Sequence, residues 1–312
     1  MPTRAVPDAL MNPRWRSFAR EQWTLLRDTG RLIGPSARLL TTTEAHTYAY
    51  SVSANFLLAS LPFLFLLLWI ARHALPALGA TQQAVIAHMV SSYLPTGQQR
   101  LMADAVGLAN RHSVQVFSIV MLVISSSGVF LPLEVALNSI WGFKRNRGYL
   151  ANAAVSFALV FACGLVAYAS VVAASLGAAF VTFIFPVTWT GVTGALTSFF
   201  VFLFSLPATI AIFFLIYWKL PNGAVPAAQV FPAALYTGLL AELFKDVFPA
   251  LLPWLDFNSV YASLTVAVTL VVWGYAGALL LLFGASLSAR GVTRLPTLHL
   301  RHKAGAASAS NS

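Results

Sequence analysis

The stretch that decides the fold is residues 116–147, VFSIVMLVISSSGVFLPLEVALNSIWGFKRNR. Its apolar part is long enough to span a membrane as a helix, yet it contains the carboxylate Glu134. At helical spacing Ser127, Glu134 and Asn138 lie on one stripe, which we expect to face protein or water, because a charge facing lipid is costly. Cations follow the apolar run and predict that it ends on the cytoplasmic side: Lys144, Arg145 and Arg147.

The composition of the whole chain indicates an integral membrane protein. Of the 312 residues, 58% are hydrophobic and 9% are charged, and the mean hydropathy is +0.76. Soluble domains carry about a quarter charged residues. The net charge of +10 comes from basic residues that flank the predicted spans, so we read it as a topology signal and expect no nucleic-acid partner. Membrane lipids are the expected partners, and a homo-oligomer or an envelope partner is left open.

The apolar runs predict an all-α, polytopic membrane domain over residues 46–290 with six transmembrane helices. The predicted spans are about 48–70, 114–141, 153–185, 192–218, 229–252 and 263–288. Prolines inside four of them predict broken or kinked helices, since proline removes one backbone hydrogen bond: Pro62, Pro132, Pro207 and Pro232.

The cations also predict the orientation of these spans. Fifteen Lys and Arg residues fall on one side of the six-span arrangement and three on the other, which indicates that both termini are cytoplasmic. Residues 1–45 then form a cytoplasmic tail and an amphipathic interfacial helix, and residues 291–312 form a disordered cytoplasmic tail. The more polar segment 72–113 is predicted to be an extracytoplasmic helical hairpin.

Further polar residues lie in the first and fifth predicted spans. Ser51 and Asn55 share one stripe of the first span. In the fifth span Glu242 lies three and four residues before Lys245 and Asp246, so these charges can neutralise one another. We expect these residues, together with Ser127, Glu134 and Asn138, to line a transport cavity. The alternative is that they serve only as hydrogen bonds and ion pairs between helices.

Glu134 is the predicted functional centre. Hydrogen bonds from Ser127 and Asn138 favour its ionised form, whereas burial among apolar neighbours favours the protonated form. We therefore expect Glu134 to exchange a proton and to couple proton movement to that of a substrate.

Four segments together resemble a known family. They are AYSVSANFLLASLPFLFLLL at 49–68, SSSGVFLPLEVALNSIWG at 125–142, KLPNGAVP at 219–226 and VYASLTVAVTLVVWGYAGALLLLFGASLSA at 260–289. In order and spacing they resemble the YihY/BrkB family of bacterial inner-membrane proteins, over about residues 40–290. The resemblance implies six spans in the inner membrane and an envelope-related or transport role. Family members carry Glu after the Gly-Ala of the last span, where this chain has Ser286.

Family members have also been labelled ribonuclease BN. A metal-dependent nuclease needs clustered His and carboxylate ligands, whereas the only closely spaced histidines in this sequence are His299 and His302. The sequence therefore predicts neither ribonuclease nor other enzymatic activity, and neither a metal nor a cofactor.

Overall fold

The protein folds into helices. The computed structural model describes residues 31–74, 79–91, 99–109, 111–144, 147–184, 190–261 and 264–293. Within these ranges the regular elements are α-helices and one 3₁₀ helix, Arg38–Thr41. The α-helices are α1 Ile33–Ala37, α2 Thr43–His73, α3 Gly79–Ser91, α4 Gln99–Ala109, α5 His112–Trp141, α6 Tyr149–Ile184, α7 Thr190–Lys219, α8 Ala227–Leu255, α9 Phe257–Tyr261 and α10 Thr265–Thr293. The all-α prediction is confirmed for this part of the chain.

Five helices are long and apolar enough to cross a membrane: α2, α6, α7, α8 and α10. They correspond to five of the six predicted spans. The remaining predicted span lies in α5, a continuous helix of 30 residues that contains two shorter apolar segments, His112–Leu122 and Gly128–Trp141. The span predicted at 114–141 and the position of the termini therefore stay predictions.

Local sequence signals set the ends of the helices near the predicted cytoplasmic side. Thr42 caps α2, and its side chain accepts a hydrogen bond from the backbone N–H of Ala45 at 3.4 Å. At the end of α5, Gly142 adopts a left-handed conformation with φ of 74°, which glycine tolerates because it lacks a Cβ. The chain reverses there and returns towards the last turns of α5.

The four prolines do not interrupt their helices. Pro62, Pro132, Pro207 and Pro232 lie inside α2, α5, α7 and α8, each of which is continuous. The prediction of a break at these positions is wrong, whereas a kink at each proline stays a prediction. Each proline removes a single hydrogen bond from a helix of about 30 residues, and the bonds on both sides keep the helix intact.

The main core joins the long helices. It includes buried side chains of α2, α5, α7, α8 and α10, among them Leu133, Leu137, Tyr217, Val230 and Leu282. The helix α2 packs on α5 and α10, α8 packs on α7 and α10, and α6 lies against α7. This arrangement brings the polar residues of α5 close to the connection between α7 and α8.

The predicted hairpin consists of α3 and α4, which pack on the opposite end of α2. Val85 and Ile86 of α3 and Ala105 of α4 form a second cluster with Leu68 and Ala71. These side chains of α3 and α4 are therefore buried against α2, and the extracytoplasmic location of the segment stays a prediction. Two predictions fall outside the described residues: the interfacial helix before residue 31 and the tail after residue 293.

Candidate functional site

Glu242 forms the centre of a polar cluster between α7 and α8. Its side chain is 9% exposed and accepts hydrogen bonds from Thr209 Oγ1 at 2.6 Å and from Ser205 Oγ at 3.1 Å. Lys245 Nζ lies 2.5 Å from Glu242 Oε1 and donates to Ser205 Oγ at 2.6 Å. The predicted pairing of Lys245 with Glu242 is confirmed, and the pair carries no net charge.

Close packing of two helices positions this cluster. A Cβ at Gly238 of α8 would overlap Ile210 of α7, so the glycine permits the approach that brings the hydroxyls of α7 to Glu242. Glu242 is the 16th residue of the 29-residue helix α8. At 1.5 Å per residue, this places the ion pair near the middle of a helix of about 43 Å.

Asp246 takes no part in this cluster. Its side chain is exposed, whereas that of Lys245 is about one fifth exposed. Among the described contacts the ion-pair partner of Lys245 is Glu242, so the prediction of a three-charge group is wrong for Asp246. Residues three apart share a face of a helix and adjacent residues do not, and the hydroxyls of Ser205 and Thr209 lie on the face of α8 that carries Glu242.

Glu134 lies in a second polar cluster, at the end of α5 near the connection to α6. Its side chain is 1% exposed, and its Oε1 lies 3.6 Å from the guanidinium of Arg147. The backbone N–H of Arg147 donates to the same oxygen at 3.1 Å, and Asn138 Nδ2 donates at 3.4 Å. Glu134 Oε2 is buried and has no hydrogen-bond partner in the described part of the chain.

This second cluster also holds the connection between α7 and α8. Arg147 donates to the backbone carbonyls of Leu220 at 2.6 Å and Pro221 at 3.0 Å, just after α7 ends, where a cation is favourable. Asn138 Oδ1 accepts the backbone N–H of Asn222 at 2.7 Å. We call Glu134, Asn138, Arg147 and their partners at 220–222 the loop clasp.

Sequence reasoning found Glu134 and Asn138 but missed the role of Arg147, which it treated only as a topology signal. A turn of a few residues after Gly142 can bring a cation back to the preceding helix, and that spacing was the available clue. Nothing in the sequence pairs Arg147 with residues 220 and 221.

The polar residues of α2 belong to neither cluster. Asn55 Nδ2 donates to the carbonyl of Ser51 within its own helix at 2.9 Å, and a Cβ at Gly128 of α5 would overlap the Asn55 side chain. Asn55 thus fills the space that Gly128 leaves. Ser127 belongs to α5, but its side chain lies outside the described residues. The structure therefore separates the predicted cavity residues into three sets of contacts, and a common cavity stays a prediction.

Ser286 is buried in α10, and its hydroxyl accepts a hydrogen bond from Arg290 Nε at 3.2 Å. The arginine lies one helical turn after the serine, so a carboxylate at this position would also lie within reach of a cation.

A small cavity of about 40 Å³ lies between the first turns of α2 and the end of α5. Its lining includes Glu44, Tyr48 and Ser139 and contains neither Glu134 nor Glu242. Among the described residues no three His, Cys, Asp or Glu side chains are arranged to bind a metal ion.

Comparison with known proteins gives the family. The family described as Virulence factor BrkB matches residues 38–306. The chain belongs to this family. A UPF0761 membrane protein of Pseudoalteromonas atlantica is 25% identical over 236 residues, which cover 74% of this chain and 76% of that protein. A UPF0761 membrane protein of Aeromonas salmonicida is 26% identical over 220 residues, covering 69% and 73%. No solved structure matches the chain.

The family and the helices together establish a membrane protein with several apolar helices. The resemblance expected from the four sequence segments is confirmed.

Proposed function

We propose that this protein moves an amphipathic, lipid-like substrate or a small solute across the bacterial inner membrane. In this proposal α5 also crosses the membrane, which gives six spans in all, and both termini are cytoplasmic. The observation that carries the proposal is the Glu242–Lys245 ion pair near the middle of α8. Charged side chains at membrane depth are rare and are associated with substrate or ion pathways.

The hydrogen bonds around the pair would allow Lys245 to leave Glu242 and bind a substrate. Ser205 and Thr209 both donate to Glu242, so the carboxylate keeps two donors when Lys245 moves away. Lys245 is partly exposed and has a long, flexible side chain. In this proposal the cluster adopts a second arrangement, in which the ammonium binds a substrate group while Glu242 remains hydrogen-bonded.

A second candidate function is that of a non-transporting structural protein of the envelope. The observation in its favour is the packing of Glu134, which is almost fully buried and held by the loop clasp. Such contacts between helices serve as structural links in many bundles. For that reason the transport proposal rests on Glu242 and Lys245 rather than on Glu134. We also propose that the protein has membrane lipids as partners and is not an enzyme.

Flux in reconstituted vesicles separates the two candidates. Wild-type protein should move a fluorescent phospholipid analogue or protons across proteoliposomes faster than protein-free vesicles do. Glu242→Gln removes the charge that holds Lys245 and should reduce this flux, whereas Asp256→Asn, at the exposed end of α8, should not. Absence of flux for all tested lipids and for protons would favour the structural candidate.

The topology has its own test. A cysteine introduced at Thr96, in the connection of the predicted hairpin, should react with a membrane-impermeant maleimide from the periplasmic side. Tags at residue 1 and after Ser312 should be accessible only from the cytoplasm. Labelling of residue 96 only from the cytoplasmic side would overturn the six-span topology.

A further inference from the structure

Lys245 lies on the side of α8 that faces other helices. Ala241, Phe248 and Leu252 are buried, and with Lys245 they recur at intervals of four, three and four residues, which places all of them on one stripe. The helices α7 and α10 pack on α8. The side chain of Lys245 is nevertheless 19% exposed, so the ammonium is enclosed by helices but not sealed off.

Three oxygen atoms surround this ammonium. Nζ of Lys245 lies 2.5 Å from Glu242 Oε1, 2.6 Å from Ser205 Oγ and 3.4 Å from Thr209 Oγ1. The two hydroxyls also donate to Glu242 Oε1, at 3.1 and 2.6 Å. Because their protons point to the carboxylate, their lone pairs are left for the ammonium. We call these three oxygens the oxygen cage.

The oxygen cage has the chemistry to hold a metal ion of single charge in place of the ammonium. Carboxylate and other neutral oxygen groups are the ligands that hard cations take in proteins. The hydroxyls need not turn in such an exchange, since their lone pairs already point to the position of Nζ. Glu242 brings the one formal charge of the cage, so a monovalent ion neutralises it, whereas a divalent ion would leave a costly positive charge at membrane depth.

Movement of Lys245 to a substrate creates the need for such an ion. The side chain of Glu242 is 9% exposed, and removing the partner of a buried charge is strongly destabilising. The hydroxyls of Ser205 and Thr209 offset only part of this cost, because neither carries a net charge. A cation that enters the oxygen cage as the ammonium leaves would offset the rest.

We infer that Glu242, Ser205 and Thr209 bind a monovalent alkali cation in exchange for the ammonium of Lys245. This inference rests on the proposed function for the movement of Lys245, and it deepens that proposal by giving the class of the coupling ion. The cation neutralises Glu242 while Lys245 holds an anionic group of the substrate, so that ion and substrate bind together. Sodium and potassium share this chemistry, and the experiment distinguishes them.

A variant without the ammonium gives the sharpest test. In Lys245→Met the oxygen cage is vacated and Glu242 keeps its charge, so NaCl or KCl should stabilise the purified variant relative to choline chloride at the same ionic strength. Salt at ten times its dissociation constant should raise the midpoint of thermal unfolding by roughly 3 °C. The salt that acts at the lower concentration identifies the ion. Wild type should need roughly tenfold more salt, because the ammonium must first leave the cage, and adding Glu242→Gln to Lys245→Met should remove the response.

Direct binding to the purified protein keeps the inference testable if Lys245→Met does not fold. Binding of radiolabelled sodium, or of rubidium as a tracer for potassium, is measured at equilibrium. Ser205→Ala and Thr209→Val each remove one oxygen of the cage and should weaken binding by about tenfold, the scale of one hydrogen bond to a charged group. Ser170→Ala is the matched control, since its hydroxyl donates to the carbonyl of Phe204, and it should bind like wild type.

Three results would overturn the inference. The first is a Lys245→Met variant that neither salt stabilises beyond choline chloride, and the second is a Ser205→Ala variant that binds the ion as tightly as Ser170→Ala. The third is a stability of Lys245→Met that responds to pH but to neither salt, which would assign the exchange to a proton. Ion binding without flux would refute transport and leave the cation site intact, whereas equal flux in sodium, potassium and choline media would refute only the cation site.

Discussion

Removing the guanidinium of Arg147 tests the loop clasp most directly. In Arg147→Met, Glu134 keeps the backbone N–H of residue 147 and the weak bond from Asn138, but it loses its ion-pair partner while remaining 1% exposed. Breaking a buried pair in this way costs about 3–5 kcal/mol. Arg147 is 19% exposed, so we expect a value near the lower end, about 3 kcal/mol.

Removing the charge of the other partner, Glu134, should cost less. Glu134→Gln keeps an acceptor for the backbone N–H, and Arg147 keeps the carbonyls of Leu220 and Pro221 as well as access to solvent. We expect a loss of about 1–2 kcal/mol, the scale of one weakened hydrogen bond to a charged group. The predicted asymmetry follows because the deeper of the two charges is the carboxylate.

The measurement is equilibrium unfolding of the purified variants in mixed micelles of dodecyl maltoside and dodecyl sulfate, followed by far-ultraviolet circular dichroism. Lys144→Met is the control, since Lys144 is an exposed cation in the same connection and should change stability by less than about 0.5 kcal/mol. The reasoning would be refuted if Arg147→Met were no more destabilising than Lys144→Met, or less so than Glu134→Gln.

Three further predictions concern single positions. Glu134→Gln should insert normally, and if Glu134 couples protons its flux should lose the pH dependence of wild type; an unchanged pH profile would exclude that role. Lys245→Met should destabilise the protein by about 3 kcal/mol because it leaves Glu242 buried without a counter-charge. Adding Glu242→Gln to this variant should recover part of the loss. Wild-type stability of Lys245→Met would mean that the ion pair does not contribute to stability. Gly284→Ala places a Cβ against Tyr217 and Thr237 and should cost about 1–3 kcal/mol in a thermal-unfolding assay, whereas Gly277→Ala, where the nearest neighbour is Trp273 at 3.9 Å, should be close to neutral; equal effects would contradict the packing.

Much of the fold follows from local properties of the chain. The length of each apolar run sets the length of a helix, so five of the six predicted spans have counterparts whose ends differ by a few residues. The pairing of Lys245 with Glu242 was also predictable, because residues three apart on a helix are neighbours whatever surrounds them. Family membership likewise followed from segments read in order along the chain.

The contacts of the candidate sites were decided by the tertiary structure. Arg147 reaches carbonyls 73 and 74 residues away, and Ser205 reaches a carboxylate 37 residues away. No periodicity within one helix contains that information. Glu242 and Asp246 are both close to Lys245 in sequence, and the position of α7 against α8 left Asp246 exposed and enclosed Glu242. The sequence determined which groups lie on each helix, whereas packing between helices determined which of them meet, because that choice depends on the faces that fit together.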